Sequence, residues 1–442
     1  MRRLPIVRAR SLVVVLGLAT VLLLGVGGVL GLRASAPAPT PVAVTGEVVP
    51  RVDRLAATIE RAQEQLRRVP GDHRSWAALG LAYLEKSRIT ADPTYYGKAE
   101  GALRRSLAVR PDGNDSALAG LGALANARHD FAGAAGLARQ ASRINPYSAE
   151  AYAVLADAET QLGRADAATE AVQRLLDLRP GLTALTRAAY DREQRGRTAE
   201  ATALLRQALD TALDPADVAF CRYQLGELAW NSGDLAGAER EYAAGAAADP
   251  GYLPLLQGRA KVAAAQGRLD QALAGYADLT ARSPTPGYFL EYADLLDAAG
   301  RPAEAAAQRD LAYAAHQLFT ANGGADDLTG VALALARSRP AEALTLARRE
   351  WQRRQFAEVA DLLGWALHAN GRHAEALGYA RRAEALGARN ARYAYHLGMI
   401  ELALGDRDAA RRDLRRALDV NPHFSALDAP AAARALDGLG SA

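Results

Sequence analysis

Three histidines, His368, His373 and His396, fall in neighbouring stretches of the chain. Imidazole nitrogens bind zinc when a fold brings three of them together. These three occupy unrelated positions in their stretches, which suits packing or surface roles better than a shared ion. Asp294 and Asp297 are three apart, so on a helix they share a face. Paired carboxylates can do acid–base work, yet acids at this spacing are equally at home on a solvated face. Cys221 is the one cysteine, so the chain can form no internal disulfide and has no cysteine cluster for a metal. Its place near the start of an expected helix suits a buried, inert thiol better than a nucleophile. Asn114-Asp115-Ser116 fits a glycosylation sequon. No phosphate-cradling glycine loop, paired CxxC, HExxH or GxSxG occurs. The expectation is a protein that is not an enzyme, with no cofactor and no metal.

The elements that hold these residues are helices built from small side chains. Half of the 442 residues are hydrophobic while aromatics are only 6%, a bias that suits closely packed helices. Of the formal net charge of +3, five positive charges come from Arg2, Arg3, Arg8, Arg10 and Arg33, leaving −2 for the rest. A near-neutral body gives no electrostatic argument for nucleic-acid binding.

The amino terminus reads as an address. A basic segment over 1–10 precedes an uncharged apolar run over 11–32, roughly 30 Å as a helix and enough to cross a bilayer core. Removable signal peptides have shorter apolar cores, about 7–15 residues, so a retained transmembrane helix or signal anchor is expected. Secretion after cleavage near Ala34-Ser35-Ala36 or Ala36-Pro37-Ala38 is the alternative. Four arginines before the run against one after it place the bulk of the chain outside the cytoplasm of a single-pass protein. Gly27 and Gly31 would let two spanning helices approach, leaving self-association open. Prolines 37, 39 and 41 make residues 33–51 an extended Pro/Ala-rich linker.

Beyond the linker one unit repeats. Glycines or their substitutes stand at His129, Gly163, Gly196, Gly233, Gly267, Gly300, Ser338, Gly371 and Gly405, spaced by 34, 33, 37, 34, 33, 38, 33 and 34. Prolines 146, 180, 250, 284 and 422 lie seventeen residues after five of these turns. A period near 34 with this punctuation marks a helix–turn–helix solenoid. Gly398 with Ala394, and Ala410 with Ala417, face the helix crossing, where a larger side chain would push the pair apart. The same columns recur as Trp76, Leu79, Gly80, Tyr83; as Leu225-Gly226 with Ala238 and Tyr242; and as Leu363-Gly364 with Leu367 and Ala376.

This arrangement closely resembles the tetratricopeptide repeat family, and in its basic, apolar start the membrane-anchored bacterial kind. The expected organisation is a capping helix over 52–69, about ten units over 70–422, and a cap and tail over 423–442 whose Ala-rich end frays. Two stretches break the rhythm, "KSRITADPTYYG" in the first unit and "HQLFTANGGADD" between Gly300 and Gly371. In architecture the chain is also similar to a lipopolysaccharide assembly factor, but it lacks that family's terminal metal-binding cysteines.

The resemblance implies that the first helix of each unit lines a concave groove for a protein or peptide. The family register, anchored on the turn residues, gives Asp157, Tyr190, Glu193, Tyr223, Glu227, Trp230, Asn231, Gln257, Lys261, Asp294 and Asp297. A second cluster is Glu358, Asp361, Trp365, His368 and Tyr395. Rings beside polar groups suit an extended peptide; packing of Tyr223 or Trp230 between repeats is the other reading. The Lys and Asn pattern with which some members clamp a carboxylate is missing, and acids outnumber bases, so a neutral or basic segment is expected. The implied function is a membrane-anchored interaction scaffold, with an accessory or regulatory subunit of an envelope enzyme or transport complex as the alternative.

Overall fold

A computed structural model describes residues 51–90, 92, 94–321 and 325–440, and among them are 22 helices and no strand. Helix α1 (Arg51–Arg68) precedes ten helix pairs. Unit 1 joins α2 (His73–Thr90) to α3 (Thr94–Val109), unit 2 α4 (Asp115–Ala127) to α5 (Phe131–Ile144), and unit 3 α6 (Ala149–Gln161) to α7 (Ala165–Leu178). Unit 4 is α8 (Leu182–Gln194) with α9 (Thr198–Asp210), and unit 5 is α10 (Pro215–Asn231) with α11 (Leu235–Ala248). Unit 6 joins α12 (Leu253–Ala265) to α13 (Leu269–Arg282), and unit 7 α14 (Pro286–Ala298) to α15 (Pro302–Ala321). Unit 8 is α16 (Asp327–Ala336) with α17 (Pro340–Arg353), and unit 9 is α18 (Ala357–Ala369) with α19 (His373–Ala383). Unit 10 joins α20 (Ala391–Ala403) to α21 (Arg407–Val420), and α22 (Asp428–Gly438) ends the stack.

Local sequence explains each element. In α5, Phe131, Ala134, Ala135, Ala138 and Ala141 form one buried stripe, and the Asp130 side chain accepts from the Gly133 N–H at the helix start. Asp234 and Asp406 cap α11 and α21 in the same way. All nine turn residues, including His129 and Ser338, have φ between 55° and 84°, the left-handed region that ends one helix and starts the next. On α11 of unit 5, Tyr242 is fully buried between α10 and α12 of the next unit, and a Cβ on Gly226 or Gly258 would stand 2.3 Å or 2.6 Å from its ring. Two glycines therefore make the slot this one tyrosine fills.

The first irregular stretch lengthens α2 to 18 residues, and the second lengthens α15 to 20. The expected fraying of the C-terminal end is corrected through residue 440. Ala432 and Leu439 pack on Ala410, Leu414 and Ala417, and Arg411 donates to Leu439 O at 2.9 Å, so α22 covers the otherwise open face of unit 10. No described helix is long and apolar enough to cross a membrane. The basic segment, the apolar run at 11–32 and nearly all of the linker lie outside the described residues.

The stack coils until its two edges meet. Around the His129 turn of unit 2, His129 Nδ1 donates to Ala325 O at 2.9 Å, in the segment leaving unit 7. In unit 3, Gln161 accepts from Arg354, and Gly163 lies so near that a Cβ would fall 2.3 Å from Gln355 O, both in the segment leaving unit 8. A Cβ on Gly196 of unit 4 would fall 2.2 Å from Gly387 O, after unit 9. In unit 5, the Trp230 carbonyl accepts from Asn421 Nδ2 at 2.8 Å, after unit 10. The offset is five units each time, so this seam closes a superhelical turn of slightly more than five units.

Candidate functional site

The concave wall of units 4 to 7 gathers acids and tyrosines from four first helices. On α8, Glu193 accepts from Asn231 Nδ2 at 3.3 Å. Burial pushes its carboxyl up to about 7, Glu227 adds to the shift, and the Asn231 hydrogen bond opposes it. On α10, Glu227 accepts from Lys261 Nζ at 2.8 and 3.0 Å and from the Tyr242 hydroxyl. The same ammonium sits 5.3 Å from the centre of the Trp230 ring. Gln257 Nε2 of α12 donates to both oxygens of Glu291 on α14, at 2.7 and 2.8 Å, and the Tyr276 hydroxyl reaches Glu291 at 2.9 Å. Asp297 pairs with Arg309, whose nearest approach to Asp294 is 3.9 Å. Burial lifts the Asp294 carboxyl to about 6, helped by Asp428 and opposed by Arg309. Five acids thus face Lys261, Arg309 and, from farther off, Arg392, and burial raises the carboxyls of two of the five.

The rings of the expected groove lie deeper than its acids. Tyr223, 7% exposed, packs 6.2 Å from Tyr242 and 6.0 Å from Tyr252, ring centre to ring centre, and Trp230 is 8% exposed in the same cluster. Tyr190 is half-buried, 6.5 Å from Phe356 across the seam. Tyr395 is 4% exposed and lies against Trp365 and Phe424. Asp157 forms a two-pronged ion pair with buried Arg187, at 2.8 and 2.6 Å. Asn231 is the exposed member of the set.

In units 9 and 10 the three histidines do come near one another, with an indole in the way. The Trp365 ring lies between those of His368 and His396, at 4.8 and 4.1 Å and nearly parallel to both. His396 Nδ1 donates to buried Asp361 at 2.9 Å, and His368 Nδ1 meets His373 Nδ1 at 3.1 Å. Burial, with His373 and His396 nearby, lowers the His368 imidazole to about 4, so it stays neutral at physiological pH. Among the described residues no group of three or more side chains could hold a metal ion. Cys221 is buried, and its thiol is pushed up to about 12 by desolvation, which leaves it unreactive.

Two parts of this wall escape the register. Glu291 falls between the ligand-facing positions, and only its cross-unit bonds to Gln257 and Tyr276 reveal it. The wall also continues into units 1 and 2 through Leu81, Leu84, Glu85, Ala123 and Asn126. Counting back from the His129 turn reaches Asn126, whereas the insertion hides the corresponding turn of unit 1.

The tetratricopeptide repeat family model matches residues 149–181 and 391–424, units 3 and 10. A search of curated proteins gives no match. Among solved structures, the human IFIT1 dimer with m7Gppp-AAAA is similar at 16% identity and a TM-score of 0.48, over 75% of this chain and 76% of that one. A tetratricopeptide repeat protein from Parabacteroides merdae is similar at 16% identity and a TM-score of 0.35, over 59% of this chain and 99% of that one. The APC/C hetero-tetramer Cut9-Hcn1 aligns at 15% identity and a TM-score of 0.34, over 88% of this chain and 97% of that one. With the nine left-handed turns and ten stacked helix pairs, the two matched segments identify the protein as an all-α solenoid that carries tetratricopeptide repeats.

Proposed function

We propose that the protein is a membrane-anchored scaffold whose concave wall captures a neutral or basic segment of a partner protein. A solenoid of tetratricopeptide repeats suits an interaction scaffold, and no active-site constellation accompanies it among the described residues. The observation that carries the choice of ligand is the wall of units 4 to 7. Burial keeps the Glu193 and Asp294 carboxyls raised despite Asn231 beside the first and Arg309 and Arg392 near the second, so a lysine or arginine from a partner would favour their charged forms. The buried tyrosines beneath them form an apolar floor against which the stem of such a side chain can lie. Anchoring, with the solenoid outside the cytoplasm, rests on the apolar run at 11–32 and the arginines around it.

The test compares membrane complexes captured by the full-length chain and by a Glu193→Gln, Glu291→Gln variant of equal helicity, using quantitative mass spectrometry. A partner lost from the variant alone supports the wall as the working surface. Identical captures refute it. Protease treatment of intact spheroplasts tests the orientation, since a solenoid that stays protected contradicts it.

A further inference from the structure

At the amino-terminal end of the concave face, units 1 to 3 line a half-open pocket of about 80 Å³, room for part of one side chain and not for a whole small-molecule ligand. Its walls are Leu81 and Leu84 from α2, Ala123 and Ala127 from α4, and Val154 from α6. Asn126 lines it while only 3% exposed. The Asn126 Nδ2 donates to Val154 O at 3.1 Å, which fixes the orientation of the amide, and its Oδ1 is buried with no hydrogen-bond partner. A buried amide oxygen without a donor is uncommon in a folded protein, and beside a pocket a donor that enters there can complete its bonding. The charges at the rim are already matched, since Arg88 pairs with Glu85 and Arg187 with Asp157. The site therefore asks for a neutral occupant with an apolar body and one hydrogen-bond donor.

We infer that this pocket anchors one bulky apolar residue of a partner's extended chain, with a main-chain N–H of that chain donating to Asn126 Oδ1. A protein segment is the occupant because Asp157 also lines the next depression along the groove, with Thr160, Gln161, Arg187 and Tyr190. A chain leaving the pocket there continues toward Glu193. The inference rests on the concave face being the binding surface, and it adds an apolar specificity site distinct from the acidic wall.

The test uses the full-length protein and ligand-observed NMR titration with N-acetyl-L-phenylalanine methylamide and its permethylated analogue, which has no N–H. The expected result is saturable millimolar binding of the first probe, with the analogue at least fivefold weaker. Asn126→Leu should make the two probes equal, and Ala123→Trp should abolish both. Circular dichroism checks that the tryptophan variant folds, and Ala127→Leu is the milder substitute if it does not. No binding to the unaltered protein, or a preference for the N–H probe that survives Asn126→Leu, overturns the inference. A lysine-rich peptide titrated in parallel separates the two readings. Peptide binding without probe binding removes the anchor and keeps the acidic wall, and the reverse keeps the anchor and removes the wall.

Discussion

The crossing around Tyr242 and the seam between superhelical turns are both places where glycine lets atoms come close, and they are held in opposite ways. At the crossing, the Tyr242 ring fills a slot between Gly226 and Gly258, buried on every side within about one repeat of sequence. At the seam, backbone meets backbone at Gly163 and Gly196, with a few polar links such as Asn421 to Trp230 O spanning 191 residues. The first kind of contact is dispersion and hydrophobic burial, repeated in every unit. The second is a narrower row of polar links and a few apolar contacts, such as Tyr190 against Phe356, that exists only once the coil has closed. Nearest-neighbour packing therefore holds the helices and sets the rotation from unit to unit, and the seam locks the turn that these rotations add up to.

Overfilling the crossing should have the largest effect. Gly226→Val puts a branched side chain into a ring that Gly258 bounds on its far side, so the ring has little room to retreat. About 3 kcal/mol of stability should be lost, the upper end for overpacking. Urea unfolding measures it, and a loss below about 1 kcal/mol would mean that the slot is looser than its distances imply.

The seam is sharpened by comparing two turns of the same backbone conformation. Gly196 (φ 70°) faces Gly387 O across the seam, whereas Gly267 (φ 75°) has nothing within 4 Å of its would-be Cβ. Alanine at either site carries the left-handed cost of about 1–2 kcal/mol. Gly196→Ala should lose roughly 1–2 kcal/mol more than Gly267→Ala and expand the molecule in small-angle scattering. Equal losses and equal dimensions would mean that the edges do not touch in solution.

A smaller effect separates buried acids from surface ones. The Glu193 carboxyl titrates near 7 when folded and near 4.5 when unfolded. Between those values the folded chain binds the extra proton, so stability present below 4.5 is lost as pH rises to about 7. Asp294 acts in the same direction, and His368, held neutral, acts in the opposite one below its ordinary value. Glu193→Gln removes its own share. Relative to the unaltered protein it should gain about 1–3 kcal/mol between pH 5 and pH 8, read from urea midpoints at each pH. A flat difference would mean that water reaches Glu193 freely. Smallest of all, Asn421→Ala should cost about 1 kcal/mol, the net worth of one neutral hydrogen bond, and loosen the last turn of the coil.

The parts of this molecule legible in its sequence are those fixed by near neighbours. The 34-residue spacing identifies His129 and Ser338 as turn residues although neither is glycine, because the positions around them repeat. The seam has no such signature. Nothing local to Gln161 marks Arg354 as its partner, since their meeting sums the small rotations of five units. The register also gives the face of a helix and not its depth. Glu193, Glu227, Gln257 and Lys261 come together as a wall, whereas Tyr223 and Trp230 lie under it and Tyr395 is buried in unit 10, where neighbouring helices pack. A cap over 423–442 is legible in the sequence, but its helical run to Gly438 is not, since an Ala-rich end has little amphipathic contrast until unit 10 offers Ala432 and Leu439 a surface.

The joined edges have a kinetic consequence. A ribbon wound with a gap can be entered sideways by any stretch of a chain, but one wound edge to edge is a sleeve, entered from its ends. For the partner segment proposed above, a free terminus would thread into such a sleeve, whereas an internal loop would wait for the seam to part. Capture should then be faster for terminal segments than for the same residues closed into a ring. Once threaded, a segment's residence time is governed by how far it must slide to leave as well as by the strength of its contacts.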